Sequence, residues 1–376
     1  MLTSASRIAF RQTSRIMNSS ALQHEPKRIL VTGGAGFIGS NFLLHMVPKY
    51  PGVQFVNLDL LTYAGNLLNL QRLEGSGNYH FVEGDIADGD LVRSLFEEHD
   101  FTTVVHFAAE SHVDRSISDP LAFVRTNMVG TATLLETARH AWKNSQDVRF
   151  HHISTDEVFG SLGSEGVFTE ETPYDPKSPY AASKAGSDHL VRAYGHTYGL
   201  PYTLSNTSNN YGPFQHPEKL IPLVILRCLK EESIPMYGDG MNVRDWLHVH
   251  DHCSALECIL KYGRDSQTYL VSAEQESTNL NLVQTLTDLI DDITGRPQGR
   301  SRELITFVED RPGHDFRYAI DAQHLRNELG WKPQYDLPAG LLHTVRWYIE
   351  HPEWLEAIAD ESYQQYFEKQ YLSSGP

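Results

Sequence analysis

The sequence predicts an α/β protein built on a doubly wound parallel sheet, with a smaller C-terminal domain, and three observations carry that expectation. Short β-branched runs alternate with helical patterns along the N-terminal half. A set of glycines three residues apart follows the first run. After about residue 208 both patterns give way to Pro- and Gly-punctuated segments.

The runs KRILVTG (27–33), VQFVNLD (53–59), YHFVEGD (79–85), TTVVHFAA (102–109) and RFHHIST (149–155) have the near-continuous apolar character of strands buried on both faces. Between them, residues 37–48, 89–98, 123–143 and 179–198 have the length and 3.6-residue apolar spacing of helices. NNYGPFQHPEKLIP and IPMYGDGMNVRDW then read as loops that build a site. HDHCSALECILKYG and TYLVS, within 246–271, read as a helix and strand that return to the first domain. The expected organisation is an extension over 1–26, a first domain over 27–207 and about 246–272, a second over 208–245 and 273–348, and a C-terminal helix or tail over 349–376.

A chain of 376 residues holds more than one small core. Its 40% hydrophobic and 21% charged residues are ordinary for a globular protein. The formal charge of −17 repels nucleic acid and anionic membranes, so a phosphate-bearing ligand needs a local cluster of donors. Cys228, Cys253 and Cys258 show no CxxC spacing and read as reduced core residues; no metal is expected. No run approaches the roughly 18 apolar residues of a membrane span, and a cytoplasmic location is expected. Residues 1–24, with Arg7, Arg11 and Arg15, many serines and no acid, fit a mitochondrial transit peptide, a disordered extension or a chain start at Met17.

VTGGAGFIG places Gly33, Gly36 and Gly39 directly after the first strand, where glycine permits a tight turn and backbone approach to a pyrophosphate at a helix N-terminus. Twenty residues after Gly39 the second strand ends at Asp59, a carboxylate placed to accept from a ribose 2′-OH. No Arg or Lys stands close by to receive a 2′-phosphate, which favours NAD over NADP. GDI (84–86) and FAAES (107–111) close the third and fourth strands, on the edge where such sheets bind ligands. YAASK puts Tyr180 and Lys184 one above the other on a helix face, where a buried phenol beside an ammonium is expected to favour its phenolate and act as a base. STDEVFG sets Asp156 beside Glu157 at a strand end. That pair is either a solvated cap or two carboxyls held in opposite protonation states.

Together these glycines, Asp59, HFAAESHVDRS, STDEVFG, YAASK, SNNYGPFQHPEKLIP, RDW and DRPGHD resemble the extended short-chain dehydrogenase/reductases of the dTDP-glucose 4,6-dehydratase type, over about residues 27 to 348. The related epimerases share the glycines, Thr155 and the Tyr/Lys pair but lack the Asp-Glu pair. Phe159 stands where this family usually carries Tyr, at a position without a catalytic role. The resemblance implies a Rossmann fold and a reaction in which C4 of a glucose is oxidised, water is eliminated across C5 and C6, and the hydride returns to C6. It implies Tyr180 as base at O4 with Lys184 supporting it, Asp156 as the acid for the leaving hydroxyl, Glu157 as the base at C5, and Thr155 bonded to the sugar near O4.

The resemblance further implies NAD held by Gly33, Gly36, Phe37, Ile38, Gly39, Asp59, Thr62, Asp85, Ile86, Phe107, Ala108, Ala109, Ser111, Thr126, Tyr180, Lys184 and Asn210. For the nucleotide sugar, dTDP-glucose or UDP-glucose, it implies Ser111, Thr155, Asn209, Lys219, Leu220, Pro235, Tyr237, Arg244, Asn279, Asp310, Arg311 and His314. A homodimer through the helices at 123–143 and 179–198 is also expected. A UDP-sugar 4-epimerase, a decarboxylase and a non-catalytic NAD-binding regulator are the alternatives.

Overall fold

Seven parallel strands form the central sheet: β1 (Arg28–Thr32), β2 (Gln54–Asp59), β3 (Tyr79–Glu83), β4 (Thr103–His106), β5 (Arg149–Thr155), β6 (Tyr202–Thr207) and the strand Gln267–Val271. The computed structural model describes residues 23–310, 313–359 and 361–372, so the expectations placed on residues 1–22 and on Arg311 lie outside the described residues. Strand order runs from Gln267–Val271 through β6, β5, β4, β1 and β2 to β3. Chain direction across the sheet therefore reverses between β1 and β4, and the crevice at that switch point opens beyond their carboxyl ends.

The strands are apolar on both sides because both faces are covered. Leu30, Val56, Val104, Phe150 and Leu204 pack into one core with Leu95, Leu134 and Val191, while Ile29, Val31, Phe55 and Val105 pack on the other face with Phe42, Leu43 and Leu256. That odd-even division along β1 is the period-2 alternation of a strand. Gln267–Val271 pairs with β6 in parallel, so the segment read as returning to the first domain does join the main sheet. A third core gathers Tyr211, Ile221, Val224, Trp246, Leu286, Val345 and Tyr348, beneath two small sheets. Among the described residues no helix is long and apolar enough to cross a membrane.

Two helices shape the site. The expected helix over 179–198 is observed as Pro179–Tyr198, with Ser178 accepting the Ala181 N–H at 3.1 Å, proline at the first turn and Gly199 left-handed at the end (φ 68°). The helix expected over 123–143 differs. It starts earlier, at Pro120–Phe123 with Asp119 as cap, widens into a π-helical turn over Val124–Gly130, and continues as Thr131–Ala141. Hydrogen bonding of a side chain inside that turn to neighbouring segments accompanies the widening. Asn127 accepts the Glu110 N–H at 2.9 Å, and its amide donates to Glu110 O at 3.0 Å and to Ser183 Oγ at 2.8 Å. The turn thus ties the loop after β4 to the Tyr180 helix, an arrangement that apolar periodicity does not encode.

Candidate active site

The turn after β1 is shaped by what cannot fit there. Gly33 has φ +72°, and a Cβ on it would lie 2.5 Å from the Ala108 nitrogen, so the loop after β4 lies directly on this turn. Gly36 begins the helix Phe37–Lys49 without any side-chain cap, leaving backbone N–H groups at a helix N-terminus in the cleft wall. Asp59, at the end of β2, accepts the Ala35 N–H at 2.8 Å and the Leu61 N–H at 2.9 Å. It therefore ties the glycine turn down, and burial pushes its pKa up despite those two donors. A carboxylate has about four acceptor positions, so capacity for a ribose hydroxyl remains.

One cleft of about 310 Å³ is lined by every residue expected to hold NAD: Gly33, Gly36, Phe37, Ile38, Gly39, Asp59, Thr62, Asp85, Ile86, Phe107, Ala108, Ala109, Ser111, Thr126, Tyr180, Lys184 and Asn210. They come from chain segments as far apart as residues 33 and 210, and the switch point brings them together. The lining among the described residues includes two lysines and no arginine.

Thr155, Asp156 and Glu157 line the same cleft. β5 ends at Thr155, whose hydroxyl accepts the Glu157 N–H at 3.3 Å and caps the short 3₁₀ turn Asp156–Phe159. The cap belongs to Thr155, and Asp156 is not a solvated cap: it is 1% exposed. Thr155 Oγ1 donates to Asp156 Oδ1 at 3.3 Å, while Asp156 Oδ2 has no hydrogen-bond partner among the described residues. Burial first, then the neighbouring Glu157 charge and Asp245, hold the Asp156 carboxyl well above its usual range, which favours its protonated, acid form.

Tyr180 departs from expectation. Its phenolate is not favoured: burial, then the Glu157 carboxylate, push the phenol well above its ordinary value, and only a Thr155 hydrogen bond opposes them. Lys184 Nζ is spent on the Ile153 carbonyl at 2.8 Å, and burial lowers the ammonium to about 8. The physical reason is that desolvating an anion beside a carboxylate outweighs a nearby ammonium already engaged by a carbonyl. Beneath them, Asp188 accepts from Ser154 Oγ and Tyr174 OH, each at 2.8 Å, and faces His152 Nε2 at 3.1 Å.

The residues expected to hold the substrate divide. Ser111, Thr155, Asn209 and Lys219 line the cleft, with Lys219 Nζ donating to Ser111 O at 3.0 Å. Leu220, Pro235, Tyr237, Arg244, Asn279, Asp310 and His314 do not line it. Tyr237 and His314 face each other at 6.2 Å between ring centroids, and His314 Nδ1 meets Asp310 Oδ1 at 2.6 Å, so these three share one corner. Arg244, expected to hold the nucleotide sugar, is buried and donates to the carbonyls of Val243, Asp315 and Phe316. Leu220 opens the helix Leu220–Leu229, Pro235 lies in the strand Ile234–Tyr237, and Asn279 opens the helix Asn279–Thr294.

Sequence reasoning did not single out Glu110 or Glu218, two cleft carboxyls raised by burial. Tyr63 OH donates to Glu218 at 3.2 Å and the Arg115 guanidinium lies 3.5 Å from the Tyr63 ring centre. The only signal was their place inside the quoted runs HFAAESHVDRS and SNNYGPFQHPEKLIP.

Residues 30–344 match the family model described as GDP-mannose 4,6 dehydratase. The chain belongs to this family. Curated relatives include the dTDP-glucose 4,6-dehydratase of Xanthomonas campestris pv. campestris (strain B100), 55% identical over 89% of this chain and 97% of its own, and that of Escherichia coli, 49% identical over 92% and 99%. Among solved structures, the Streptomyces venezuelae dTDP-glucose 4,6-dehydratase with NAD and TYD bound aligns at TM-score 0.81 and 45% identity, over 88% of this chain and 99% of that one. The Thermotoga maritima UDP-glucose 4-epimerase with UDP-glucose aligns at TM-score 0.76 but only 28% identity, over 86% and 99%. The fold is thus shared with epimerases, while the higher identities fall on dehydratases.

Proposed function

We propose that the chain is an NAD-dependent dTDP-glucose 4,6-dehydratase, forming dTDP-4-keto-6-deoxyglucose and water. One observation carries the reading: Asp156, buried and with its carboxyl pushed up by burial and by Glu157, shares one cleft with Glu157, Tyr180 and Lys184. Oxidation at C4 alone needs only the Tyr/Lys pair. Removing water across C5 and C6 needs an acid and a base at once. The 44–55% identity to dehydratases named for dTDP-glucose, two of them solved with NAD, supports the cofactor and the sugar nucleotide.

NAD held by Gly33, Gly36, Asp59 and their cleft neighbours would supply the hydride acceptor for C4, the donor for C6 and, when oxidised, a positive charge that favours the phenolate. Thr155 and Tyr180 orient O4, and Tyr180, having first lost its own proton to solvent under that charge, takes the O4 proton as the phenolate. Lys184, anchored on Ile153 O, keeps an ammonium under that phenol. Glu157 removes the C5 proton that the new ketone acidifies, and Asp156 delivers its proton to O6 as water leaves. Asn209 and Lys219 would meet the nucleotide end, with Tyr237, Asp310 and His314 at its far corner. Leu220, Pro235, Arg244 and Asn279 complete that frame from the second domain, Arg244 by holding the 315–316 segment. Incubating purified protein with dTDP-glucose and with UDP-glucose, and identifying the products by mass, tests the reading. Release of dTDP-galactose, or no ketone at all, would sink it. The two nucleotides differ by one base methyl, worth about 1 kcal/mol, and by the 2′-hydroxyl that UDP-glucose carries and dTDP-glucose lacks, and dTDP-glucose is expected to lead.

Asp59→Ala is expected to weaken NAD binding roughly 10- to 100-fold, because one ionised acceptor is lost and the Ala35 and Leu61 N–H groups are left without it. Calorimetric titration of stripped protein with NAD measures this, and an unchanged affinity would remove Asp59 from the cofactor site.

A homodimer is expected through the helices Thr131–Ala141 and Pro179–Tyr198. The motivation is their exposed flank: Val124, Val129 and Tyr198 are more than 40% exposed, and Leu190 and Tyr194 line the adjoining groove with Met128. Sedimentation of the purified chain at micromolar concentration should report about twice 42.5 kDa; a monomer overturns it.

A further inference from the structure

Three histidines that take no part in the cleft meet at the back of the strand Val243–His248. His248 ends that strand and caps the helix Val249–Tyr262, His250 lies in that helix's first turn, and His343 comes from the helix Leu337–Glu350. One ring nitrogen from each lies within 4.8 Å of the others, and His248 Nε2 and His343 Nδ1 are 3.2 Å apart. We propose that His248, His250 and His343 form a site for a divalent transition-metal cation of the zinc, cobalt or nickel class, structural rather than catalytic.

The donor set fits that class, because three neutral imidazoles suit these metals and are a poor match for magnesium or calcium. The rings are held in place before any ion arrives. Tyr335 stacks on His248 at 4.0 Å between centroids and 22° between planes, and Tyr211 meets its edge at 5.3 Å and 90°. His248 is fully buried, His343 half-buried and His250 exposed, which provides an entry path from solvent. Ligation has one identifiable cost. His248 Nδ1 accepts the His250 N–H at 3.2 Å, so the neutral ring carries its proton on Nε2, facing His343. A cation entering there displaces that proton to Nδ1, and the helix cap is exchanged for metal–nitrogen bonds.

Such an ion would join the helix Leu337–Glu350 of the third core to the strand Val243–His248. That strand pairs through Leu247 and His248 with Asn210 and Tyr211, and Asn210 lines the cleft. The ion would therefore brace the cleft's second-domain wall without touching it.

The test uses the full chain without a histidine tag, chelator-treated and reloaded with NAD, titrated with Co²⁺ while visible absorption is read. The expected result is a saturable spectrum at one equivalent, bleached by Zn²⁺, and a melting temperature that rises with Zn²⁺. His250→Asn and His343→Gln should each weaken Co²⁺ binding roughly 10- to 100-fold or more, with the double variant losing the spectrum. His250 is exposed, so its variant keeps the fold even if His343→Gln does not, and NAD binding by calorimetry monitors that. No saturable spectrum in the wild type, or undiminished Co²⁺ affinity in folded His250→Asn, overturns the proposal.

Discussion

Asp156→Asn should oxidise C4 of dTDP-glucose at near the wild-type rate and then stall, with loss of water slowed about 10²–10⁴-fold, the usual effect of removing one general acid. Asparagine fills the same buried volume and lacks only the proton that Asp156 holds by burial and by the charge of Glu157. Reduced nicotinamide should therefore accumulate in a single turnover, read by its absorbance. Glu157→Gln should slow elimination similarly and also suppress exchange of the C5 hydrogen with heavy water, read by mass of the recovered sugar. The acid's raised pKa sets the sign of the pH dependence. Asp156 acts in its protonated form, so elimination should fall as pH climbs through that raised value. In Asp156→Asn this limb should vanish. Near-wild-type dehydration in both variants would reduce the pair to a structural turn.

Tyr180→Phe is expected to lose about 10²–10⁴-fold in C4 oxidation itself, so that no reduced nicotinamide builds up, the opposite signature to Asp156→Asn. The two effects differ because the proposed mechanism gives the O4 proton to Tyr180 and the later step to Asp156. Lys184→Met should show the same early block, since Lys184 lies buried one helical turn from Tyr180 and is charged below about pH 8. Stopped-flow absorbance with dTDP-glucose separates the cases. Rapid nicotinamide reduction by Tyr180→Phe would exclude the phenol as the base.

The glycine turn and the first five strands were legible because their causes are local. Gly33 must be glycine for reasons lying within one turn and one contact, and β1 to β5 declare themselves by unbroken apolar runs that two covered faces demand. The helix read over 179–198 from its apolar spacing is observed as Pro179–Tyr198, and its ends at Ser178 and Gly199 are local too, because caps act on their own turn. The cleft lining at the strand ends GDI and FAAES was accessible because the carboxyl ends of parallel strands at a switch point face one crevice, whereas Thr62, Thr126 and Asn210 came only from the family resemblance.

What the chain order could not convey was the electrostatic state of those residues. Tyr180 and Lys184 are neighbours by spacing, yet the phenol's proton is held by burial and by Glu157, and the ammonium is turned to Ile153. The π-helical turn at Asn127, the use of Arg244 on the 315–316 carbonyls, and the meeting of His248 with His343 share that origin. Each depends on partners from 56 to 95 residues away, and desolvation and charge act through space, where sequence spacing carries no record of them.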